Sequence, residues 1–367
     1  MSKSKSDSAD KVRIVAAMSG GVDSSVSTAL LVEAGFDVIG VTMRLGSLDK
    51  MDVETDKPNC ISPDVIDDAR RVAMKLGIPF YAVNYEEQFR QNVIDYFVKE
   101  YLSGRTPNPC VVCNREVKFG KLLSLAANLE ADYIATGHYA KIEQNRDTGR
   151  YILKKGVDSR KDQSYFLFAL TQKQLSQSRM PLGGYTKNQV REIARKYKLR
   201  SAEKMESQEL CFIEDGNYRR FLKDCATDNI PDGDIVDEDG IVLGKHHGLP
   251  FYTVGQRRGL GIATGTPLYV TEVNVTDNTI IVGEAASLLR DSLRVERMNL
   301  VGVETLTAPI NALVKIRSKD EGAPAKITPL SETEAEVKFD QPRRAVTPGQ
   351  AAVFYDGDIV IGGGWIK

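Results

Sequence analysis

Short apolar runs alternate with longer segments of helical spacing over the first 140 residues. The apolar runs predict strands at residues 12–17, 36–43, 78–83 and 133–136. The segments between them predict helices at residues 22–34, 63–76, 86–102 and 115–129. Strands separated by helices of this length predict right-handed βαβ units and a parallel sheet. We therefore expect an α/β fold with a doubly wound parallel sheet, whose ligands lie at the carboxyl ends of its strands.

The pattern changes after Gly137. Residues 139–155 alternate around Asp147-Thr148-Gly149, which predicts a hairpin, and helices are expected at 172–177 and 187–197. From about Ile230 glycine becomes frequent, and the chain ends in short alternating strands with a hairpin turn at Asp356-Gly357. We expect three domains: an α/β domain over residues 1–215, a small mixed central domain over 216–284 and a C-terminal β-barrel over 285–367.

Composition adds little to this picture but excludes some classes of protein. The 367 residues are 42% hydrophobic and 27% charged, with no apolar run long enough to span a membrane. The polar first ten residues do not resemble a signal peptide, so a cytoplasmic location is expected. A formal net charge of −1 argues against a general nucleic-acid binder. Between Lys141 and Cys225, however, the chain has 19 basic and 11 acidic residues. This excess of positive charge fits either a solvated helix surface or a contact with a phosphate backbone.

A glycine-rich segment follows the first predicted strand and reads Ser19-Gly20-Gly21-Val22-Asp23-Ser24-Ser25. Its glycines let the backbone approach a ligand, its serine hydroxyls add donors, and the next helix offers a positive N-terminus. Together these features predict an anion-binding loop, with Asp23 as an acid that can help to hold Mg²⁺; a simple strand-to-helix turn is the alternative. The segment has neither the lysine of a Gly-Lys-Ser/Thr loop nor the G-x-G-x-x-G pattern.

This segment resembles the S-G-G-x-D-S pyrophosphate loop (PP-loop) of the ATP pyrophosphatases. The resemblance implies cleavage of ATP between its α and β phosphates, adenylation of an oxygen atom and release of pyrophosphate. In such a reaction the loop holds the leaving group and neutralises its developing charge. Met43, at the end of the second predicted strand, is expected either beside the adenine ring or in the core.

The chain has five cysteines, at Cys60, Cys110, Cys113, Cys211 and Cys225. In a long cytosolic chain they do not indicate a disulfide framework. Cys110 and Cys113 form a C-x-x-C pair after two prolines, and we expect Cys113 at the N-terminus of the helix at 115–129. That position, with Arg115 and Lys118 close in sequence, favours a nucleophilic thiolate.

These cysteines support more than one chemistry. Buried packing is the expectation for Cys60 and Cys225. For the remaining cysteines, the preferred hypothesis is redox or persulfide chemistry between Cys113 and Cys211. An iron–sulfur cluster on Cys110, Cys113 and Cys211 is its rival. A zinc site is not expected because no fourth Cys or His stands at ligand spacing, and the identity of any bound metal is unknown.

Six motifs, in this order, resemble the bacterial tRNA-specific 2-thiouridylases. They are MSGGVDSSV at 18–26, TPNPCVVCN at 106–114, TGHYA at 136–140, KDQSYF at 161–166, ELCFI at 209–213 and TVGQR at 253–257. The resemblance implies a PP-loop catalytic domain, a central tRNA-binding domain and a C-terminal barrel. It also implies ATP-dependent conversion of the wobble uridine to 2-thiouridine in the tRNAs for Lys, Glu and Gln.

The resemblance also implies roles for individual residues. Positions that match ATP contacts are Ala17, Met18, Ser19, Gly20, Gly21, Val22, Asp23, Ser24, Met43 and Gly137. Positions that match contacts with the target base or the tRNA are Asn108, Pro109, Cys110, Lys161, Asp162, Gln163, Arg317 and Ser318. Cys113 matches the catalytic nucleophile, and Cys211 matches the residue that carries the persulfide.

One position departs from the family pattern, because many members have Asp where this chain has Cys110. A cysteine cannot replace an acid simply, since its pKa and geometry differ, and it supplies the third thiol that a cluster would need. The implied partners are tRNA and a sulfur donor, either a cysteine desulfurase or a relay protein, and the free protein is expected to be a monomer. An amidating ATP pyrophosphatase and a non-catalytic tRNA-binding protein are the alternative functions.

Several other polar residues are candidates for contacts. His138 follows a predicted strand and is expected to line the nucleotide pocket. His246 and His247 are expected at the surface or against RNA. Arg257-Arg258 and Arg343-Arg344 are expected either to contact phosphates or to lie on a solvated surface.

Overall fold

A computed structural model describes residues 11–46, 63–203, 210–213, 215–226, 230–263 and 265–367. Cys60, expected to be a buried packing thiol, and the polar first ten residues lie outside the described residues. Within these described ranges, no helix has the length and apolar character needed to cross a membrane.

The N-terminal part is built on a five-stranded parallel sheet. Its strands and one inserted hairpin are, in chain order, β1 (Arg13–Ala17), β2 (Asp37–Arg44), β3 (Phe80–Asn84), β4 (Tyr133–Ala135), β5 (Ala140–Gln144), β6 (Tyr151–Lys155) and β7 (Ser178–Arg179). The parallel order is β3-β2-β1-β4-β7, and β5 and β6 form the antiparallel hairpin. The predicted α/β class, the parallel sheet and the hairpin are confirmed. Strand β7 was not predicted, because two residues are too few to form an apolar run.

Six helices accompany this sheet in the described residues. They are α1 (Val22–Glu33), α2 (Pro63–Leu76), α3 (86–102), α4 (109–128), α5 (Gln172–Ser176) and α6 (Lys187–Lys196). Helix α3 joins Glu86–Phe89, a π-helical Arg90–Ile94 and Asp95–Leu102. Helix α4 likewise joins Pro109–Val112, a π-helical Cys113–Lys121 and Leu122–Asn128.

Side chains on the two faces of β1 enter different cores. Ile14 and Ala16 pack with Leu31 of α1 on one face, whereas Val15 packs on the other face with Phe119 of α4. Both faces of a parallel sheet must be covered, because βαβ crossovers place helices on each side, and the strands are accordingly apolar throughout. The short sequence Arg13–Ala17 therefore forms a central strand.

The strand order defines where a ligand is expected. Strand β1 lies between β2 and β4, so the chain moves to one side of β1 first and to the other side later. Such a reversal opens a crevice at the carboxyl ends of the two central strands. The segments that start at Met18, after β1, and at Thr136, after β4, both begin at this edge.

A second, smaller sheet forms the centre of the chain. Helix α7 (Tyr218–Cys225) precedes β8 (Gly233–Val236), β9 (Val242–His246), β10 (Tyr269–Asn274) and β11 (Thr279–Gly283). Their order is β10-β11-β8-β9, with β8 and β11 parallel and the outer pairs antiparallel.

The C-terminal strands close into a six-stranded barrel. They are β12 (Leu289–Leu300), β13 (Ile310–Lys315), β14 (Ala323–Pro329), β15 (Ala335–Arg344), β16 (Ala351–Asp356) and β17 (Ile359–Ile366). The ladder runs β12-β15-β14-β13-β16-β17, and β17 pairs back with β12. The small mixed central part and the C-terminal barrel expected from the sequence are confirmed, and β17 also reaches β6 through Ile359 and Lys154.

The three parts share hydrophobic cores. One cluster combines Val15 of β1, Phe119 of α4, Phe168, Val353 of β16 and Trp365 of β17. Helix α4 therefore packs between the parallel sheet and the barrel.

A second cluster contains Phe97 of α3, Cys113 of α4, Phe212, Phe221 of α7 and Val270 of β10. Through it, α3 and α4 also pack against the central sheet. Helix α4 thus contacts both cores. Its position beside the parallel sheet therefore depends on the barrel and on the central sheet.

Candidate active site

The glycine-rich loop after β1 is held in shape by its own serines. The backbone N–H of Ser19 donates to the Ser24 hydroxyl oxygen at 3.0 Å, and the two hydroxyls lie 3.2 Å apart. Ser24 and Ser25 both donate to the carbonyl of Gly21, at 3.2 and 2.7 Å. Helix α1 then starts at Val22. The loop therefore presents the N-terminus of a twelve-residue helix, where backbone N–H groups and the helix dipole attract an anion.

Two glycines allow this loop to lie close to its neighbours. Gly20 has a φ of +65°, and a Cβ there would lie 2.7 Å from the carbonyl oxygen of Val65 in α2. Gly137, after β4, would place a Cβ 2.8 Å from both the Asp23 carbonyl carbon and the Ser24 nitrogen. The segments after β1 and β4 are therefore in backbone contact, which only glycine at 137 permits.

Met18 anchors the loop to β2. The N–H of Met18 donates to the carbonyl of Val41 at 2.8 Å, and the carbonyl of Met18 accepts from the Thr42 hydroxyl at 2.7 Å. Ala17 and Met43 are partly buried, and Met43 packs against both the core around Val15 and the core that contains Cys113. Met43 therefore lies where these two cores meet, and a contact with adenine stays a prediction.

Asp23, in the first turn of α1, is held by two side chains from other segments. The Lys187 ammonium donates to both carboxylate oxygens, at 2.7 and 2.8 Å, and the Tyr139 hydroxyl donates at 2.6 Å. The side chain of Lys187 is only 9% exposed. Neutralised in this way, Asp23 repels an incoming phosphate less than a bare carboxylate would.

The same contacts bear on the expected magnesium ion. Both oxygens of Asp23 already accept hydrogen bonds, and across the described ranges no three His, Cys, Asp or Glu side chains are grouped to hold a metal ion. The residues thus do not form a metal site made of protein ligands alone. Mg²⁺ commonly binds through one or two carboxylates, waters and substrate phosphates.

His138 is buried beside the loop. Its Nδ1 lies 2.8 Å from the Thr136 hydroxyl oxygen, and its ring packs on Phe119 at 5.6 Å. Burial, reinforced by the charge of Lys118, lowers the pKa of His138 to about 3. The imidazole is therefore neutral near pH 7 and is suited to packing and hydrogen bonding.

The expectation that Cys113 lies at a helix N-terminus is wrong. Helix α4 begins at Pro109, with Asn108 as its N-cap residue, so Cys113 lies one turn inside it. Proline is favoured at the first helical position, where its missing N–H costs nothing, and the two prolines had suggested a rigid loop instead. Cys110 occupies the first turn and is exposed, whereas Cys113 is buried at 6% exposure.

Cys211 lies on a short segment that aromatic contacts fix to α3. The neighbouring Phe212 ring packs against Phe97 at 5.2 Å, Phe89 at 5.8 Å and Phe221 at 5.4 Å. Cys211 is half-buried and packs against the same cluster that contains Cys113. Residues 204–209 lie outside the described residues. Cys211 and Cys113 are therefore brought to one core from segments about a hundred residues apart in sequence.

Cys225 packs against this cluster as well. It ends α7 and is half-buried against the same cluster, so the expected packing role fits although burial is incomplete.

The segment before α4 contacts both other parts of the chain. Gln350 of the barrel donates to the carbonyls of Thr106 and Pro107, both at 3.0 Å. The hydroxyls of Thr106 and Thr253, from the central part, are 3.3 Å apart. Asn108 is buried at 7% exposure. The candidate base contacts Asn108, Pro109 and Cys110 therefore follow directly on a three-way junction.

The KDQ segment predicted to meet tRNA is tied into the fold. Gln163 exchanges two hydrogen bonds with the backbone of Tyr139, both at 3.0 Å. Asp162 accepts from the N–H groups of Gly156 and Ser164, both at 3.1 Å. Lys161 is half-exposed. These contacts give Asp162 and Gln163 a structural role, and their contact with tRNA stays a prediction.

The remaining candidates divide between surface and core. Arg317 and Ser318 are exposed beyond β13, and Arg317 donates to the Arg344 carbonyl at 3.2 Å. The expectation that His246 lies at the surface is wrong: it is fully buried, accepting from the Gly248 N–H at Nδ1, with Nε2 3.0 Å from the Asn278 carbonyl.

Among the candidate phosphate contacts, Arg257 and Arg258 are exposed. Arg343 instead pairs with the buried carboxylate of Asp320, and Arg344 stacks on Tyr269 at 4.6 Å. His247 is exposed beside Asp232.

Comparisons with known proteins match nearly the whole chain. The family profile for the tRNA methyl transferase HUP domain matches residues 12–215, that for the tRNA methyl transferase PRC-barrel domain matches 219–284, and that for the Aminomethyltransferase beta-barrel domain matches 290–366. The tRNA-specific 2-thiouridylase MnmA of Geotalea uraniireducens is 53% identical over 357 residues, covering 97% of this chain and 95% of its own. That of Carboxydothermus hydrogenoformans is 47% identical and covers 97% of each chain.

The chain belongs to the MnmA family. Lys187, which contacts the loop at Asp23, was not predicted from the sequence. A signal was present: Thr186 and Gln189 form a capping box, which places Lys187 in the first turn of α6. A lysine there opposes the helix dipole unless an acid compensates it. Here Asp23 is that acid.

Proposed function

We propose that the protein is a tRNA-specific 2-thiouridylase that uses ATP to replace the 2-oxygen of a tRNA uridine by sulfur. One observation supports this most: the anion-binding loop, in backbone contact with Gly137, is hydrogen-bonded to β2, and Met43 of β2 packs against a core that combines Cys113 and Cys211. Relatives that carry this name are 47% and 53% identical over nearly the whole chain. We therefore assign nucleotide activation and thiol chemistry to one site.

In the proposed first step, the phosphates of ATP bind at the loop from Ser19 to Ser24 and the N-terminus of α1. The uridine O2 attacks the α phosphorus, the bond to the β phosphate breaks, and pyrophosphate leaves. The serine-stabilised loop and the N–H groups of α1 receive the negative charge that develops on the leaving group. Mg²⁺ bound to these phosphates would neutralise part of their charge. The base must leave its stack to reach the site, at a cost of a few kcal/mol.

In the second step, sulfur arrives as a persulfide on Cys211. In one route, its terminal sulfur attacks C2 of the activated base, AMP leaves, and the Cys113 thiolate attacks the Cys211 sulfur and releases the product. In the other, Cys113 attacks first and releases hydrosulfide, which then attacks C2. Both routes end with a Cys113–Cys211 disulfide, which a cellular thiol must reduce before the next turnover.

A three-cysteine iron–sulfur cluster is the alternative route to the same product. No group of three metal-ligating side chains was found in the described part of the chain, and we therefore take the persulfide route as the working proposal. Iron and acid-labile sulfide analysis of anaerobically purified protein separates the two routes.

The finer details of function are proposed from the family. The substrates are the wobble uridines of the tRNAs for Lys, Glu and Gln, bound by the free protein as a monomer in the cytoplasm. Sulfur comes from a cysteine desulfurase or a relay protein. We also propose that the domains span residues 1–215, 216–284 and 285–367, and that Arg317 and Ser318 contact the tRNA.

Cysteine substitutions test the proposed function directly. Cys113→Ser and Cys211→Ser should each lower sulfur incorporation into tRNA at least a hundredfold, because serine cannot carry or cleave a persulfide. ATP binding should be unchanged. Cys225→Ser is the matched control and should retain activity. The measurement is tRNA-dependent pyrophosphate release together with labelled-sulfur incorporation.

Each outcome of these assays decides between functions. A Cys113→Ser variant that thiolates at the normal rate would refute the scheme. Pyrophosphate release without sulfur incorporation in the native protein would favour an amidating ATP pyrophosphatase, which does not need the two thiols.

A further inference from the structure

A basic pocket of about 250 Å³ opens beside the glycine-rich loop, on the side of α2. Gly20 of the loop forms one end of it. One wall is the face of α2 that includes Arg71 and Lys75, and the other is the turn after α6, with Lys198 and Arg200. The pocket lies outside the residues that the family resemblance connects with ATP, apart from Gly20 itself.

The charge of this pocket is strongly positive. Four basic residues line it, Arg71, Lys75, Lys198 and Arg200, against the single acid Asp68. Asp68 lies 3.9 Å from Arg71 and offsets only part of this charge. Lys75 donates to the carbonyl of Lys198 at 2.7 Å, which links the two walls. Like charges concentrated in a cleft attract a multivalent anion more than scattered surface charges do.

A buried hydroxyl provides a second, independent indication of a ligand. Ser201 lines the pocket and is only 5% exposed, and among the described residues its Oγ has no hydrogen-bond partner. A buried hydroxyl left unsatisfied costs about 1–3 kcal/mol, so such groups usually have a ligand or a water as partner. In the observed rotamer this Oγ is enclosed, and the side chain would have to turn towards the pocket to donate to an anionic oxygen there.

We propose that this pocket binds inorganic pyrophosphate, as a product site separate from the loop that holds the phosphates of ATP. The inference rests on the proposed function, because that reaction releases pyrophosphate next to Gly20. The guanidinium groups of Arg71 and Arg200 bind its oxygens, and Lys75 and Lys198 add positive charge. Pyrophosphate moves from the loop into this pocket before it leaves the protein, which clears the loop for the second step.

The test is equilibrium binding of inorganic pyrophosphate to the full-length protein, without tRNA. Saturating α,β-methylene-ATP, which is not cleaved at the α–β bond, fills the loop first. Pyrophosphate should still bind under these conditions. Arg71→Gln combined with Arg200→Gln should weaken this binding at least tenfold, because two charge-assisted contacts are lost. Ser201→Ala should weaken it by about threefold.

The matched control is Arg70→Gln. Arg70 is the neighbour of Arg71 on α2 but pairs with Asp67 and stacks on Phe80, away from the pocket. The Arg70→Gln variant should bind pyrophosphate with native affinity.

Three results would overturn the proposal. They are exclusion of pyrophosphate by the bound analogue, native affinity in the Arg71/Arg200 or the Ser201 variant, and an equal loss in the Arg70 control. Because no turnover is measured, these binding results hold whether or not the protein thiolates tRNA. Failure of the proposed function is detected separately, by measuring sulfur incorporation into tRNA.

Discussion

The charge at the mouth of the loop depends on one partly buried ion pair. Asp23 lies in the first turn of α1, where its carboxylate interacts favourably with the helix dipole but would repel a phosphate. Lys187 neutralises it through two contacts of 2.7 and 2.8 Å. We therefore regard Lys187 as a positioning residue, which acts on ATP through Asp23.

Replacing Lys187 by Met should weaken the binding of ATP and lower the stability of the protein. The variant leaves Asp23 with only the Tyr139 hydroxyl among the contacts described above, so the KM for ATP should rise about tenfold. Stability should fall on the order of 2 kcal/mol, less than for a fully buried pair because Asp23 is 33% exposed. Steady-state kinetics and urea unfolding measure the two effects.

Two further variants sharpen this prediction. Lys196→Met, on the exposed end of the same helix, removes a 3.5 Å surface contact with Glu33 and a cation–π contact with Tyr197 at 5.7 Å, and should behave as native. Combining Lys187→Met with Asp23→Asn removes both charges and should recover part of the lost stability. A double variant no more stable than Lys187→Met would show that the pair is not coupled.

At the scale of elements, the strongly periodic segments were predictable and the short or exceptional ones were not. Continuous apolar runs identified β1 and β2, because central strands of a parallel sheet are apolar on both faces. They missed the two-residue β7, whose place beside β4 depends on backbone pairing alone. The start of α4 was misplaced because Pro109 suits both a rigid loop and a helical first turn.

The candidate site also has a part that the local sequence predicts and a part that it does not. The loop was evident from its local sequence, whereas the Lys187–Asp23 pair joins residues 164 positions apart. No local pattern specifies such a contact. The burial of His246 likewise depends on Asn278, which belongs to a different hairpin.

The contact between the segments after β1 and β4 makes its own prediction. Gly137→Ala would place a Cβ 2.8 Å from the loop backbone at Asp23 and Ser24, and that backbone cannot move without displacing the start of α1. We expect at least a tenfold weaker affinity for ATP and a stability loss of about 1–3 kcal/mol. Gly184→Ala is the matched control, since a Cβ there meets nothing within 4 Å.

Equilibrium binding of ATP and thermal unfolding of both variants check this expectation. Native affinity in Gly137→Ala would mean that the loop tolerates displacement, and the proposed preorganisation of the loop would be wrong. A matching loss in Gly184→Ala would instead indicate that any added methyl group in this part of the chain disturbs the fold.

At the scale of the whole molecule, residues 105–108 connect the three parts immediately before the cysteine-bearing helix. Arg105 pairs with Glu100 of α3 at 2.9 Å and with Glu296 of the barrel at 2.8 Å. Its guanidinium also reaches the carbonyl of Ile366 at 3.3 Å. Because α4 starts at Pro109, any shift of the barrel against α3 is transmitted to the helix that carries Cys110 and Cys113.

This junction predicts that Arg105→Gln affects sulfur transfer more than ATP binding. The variant loses two partly buried ion pairs, so the start of α4 is held less firmly while the loop after β1 is untouched. The rate of tRNA thiolation should fall about tenfold with the affinity for ATP unchanged, and amide exchange in the first turn of α4 should become faster. Arg44→Gln, which removes an exposed ion pair with Glu86, is the control and should match the native protein in all three measurements. An Arg105→Gln variant with slower thiolation but native amide exchange would show that the junction does not act through α4.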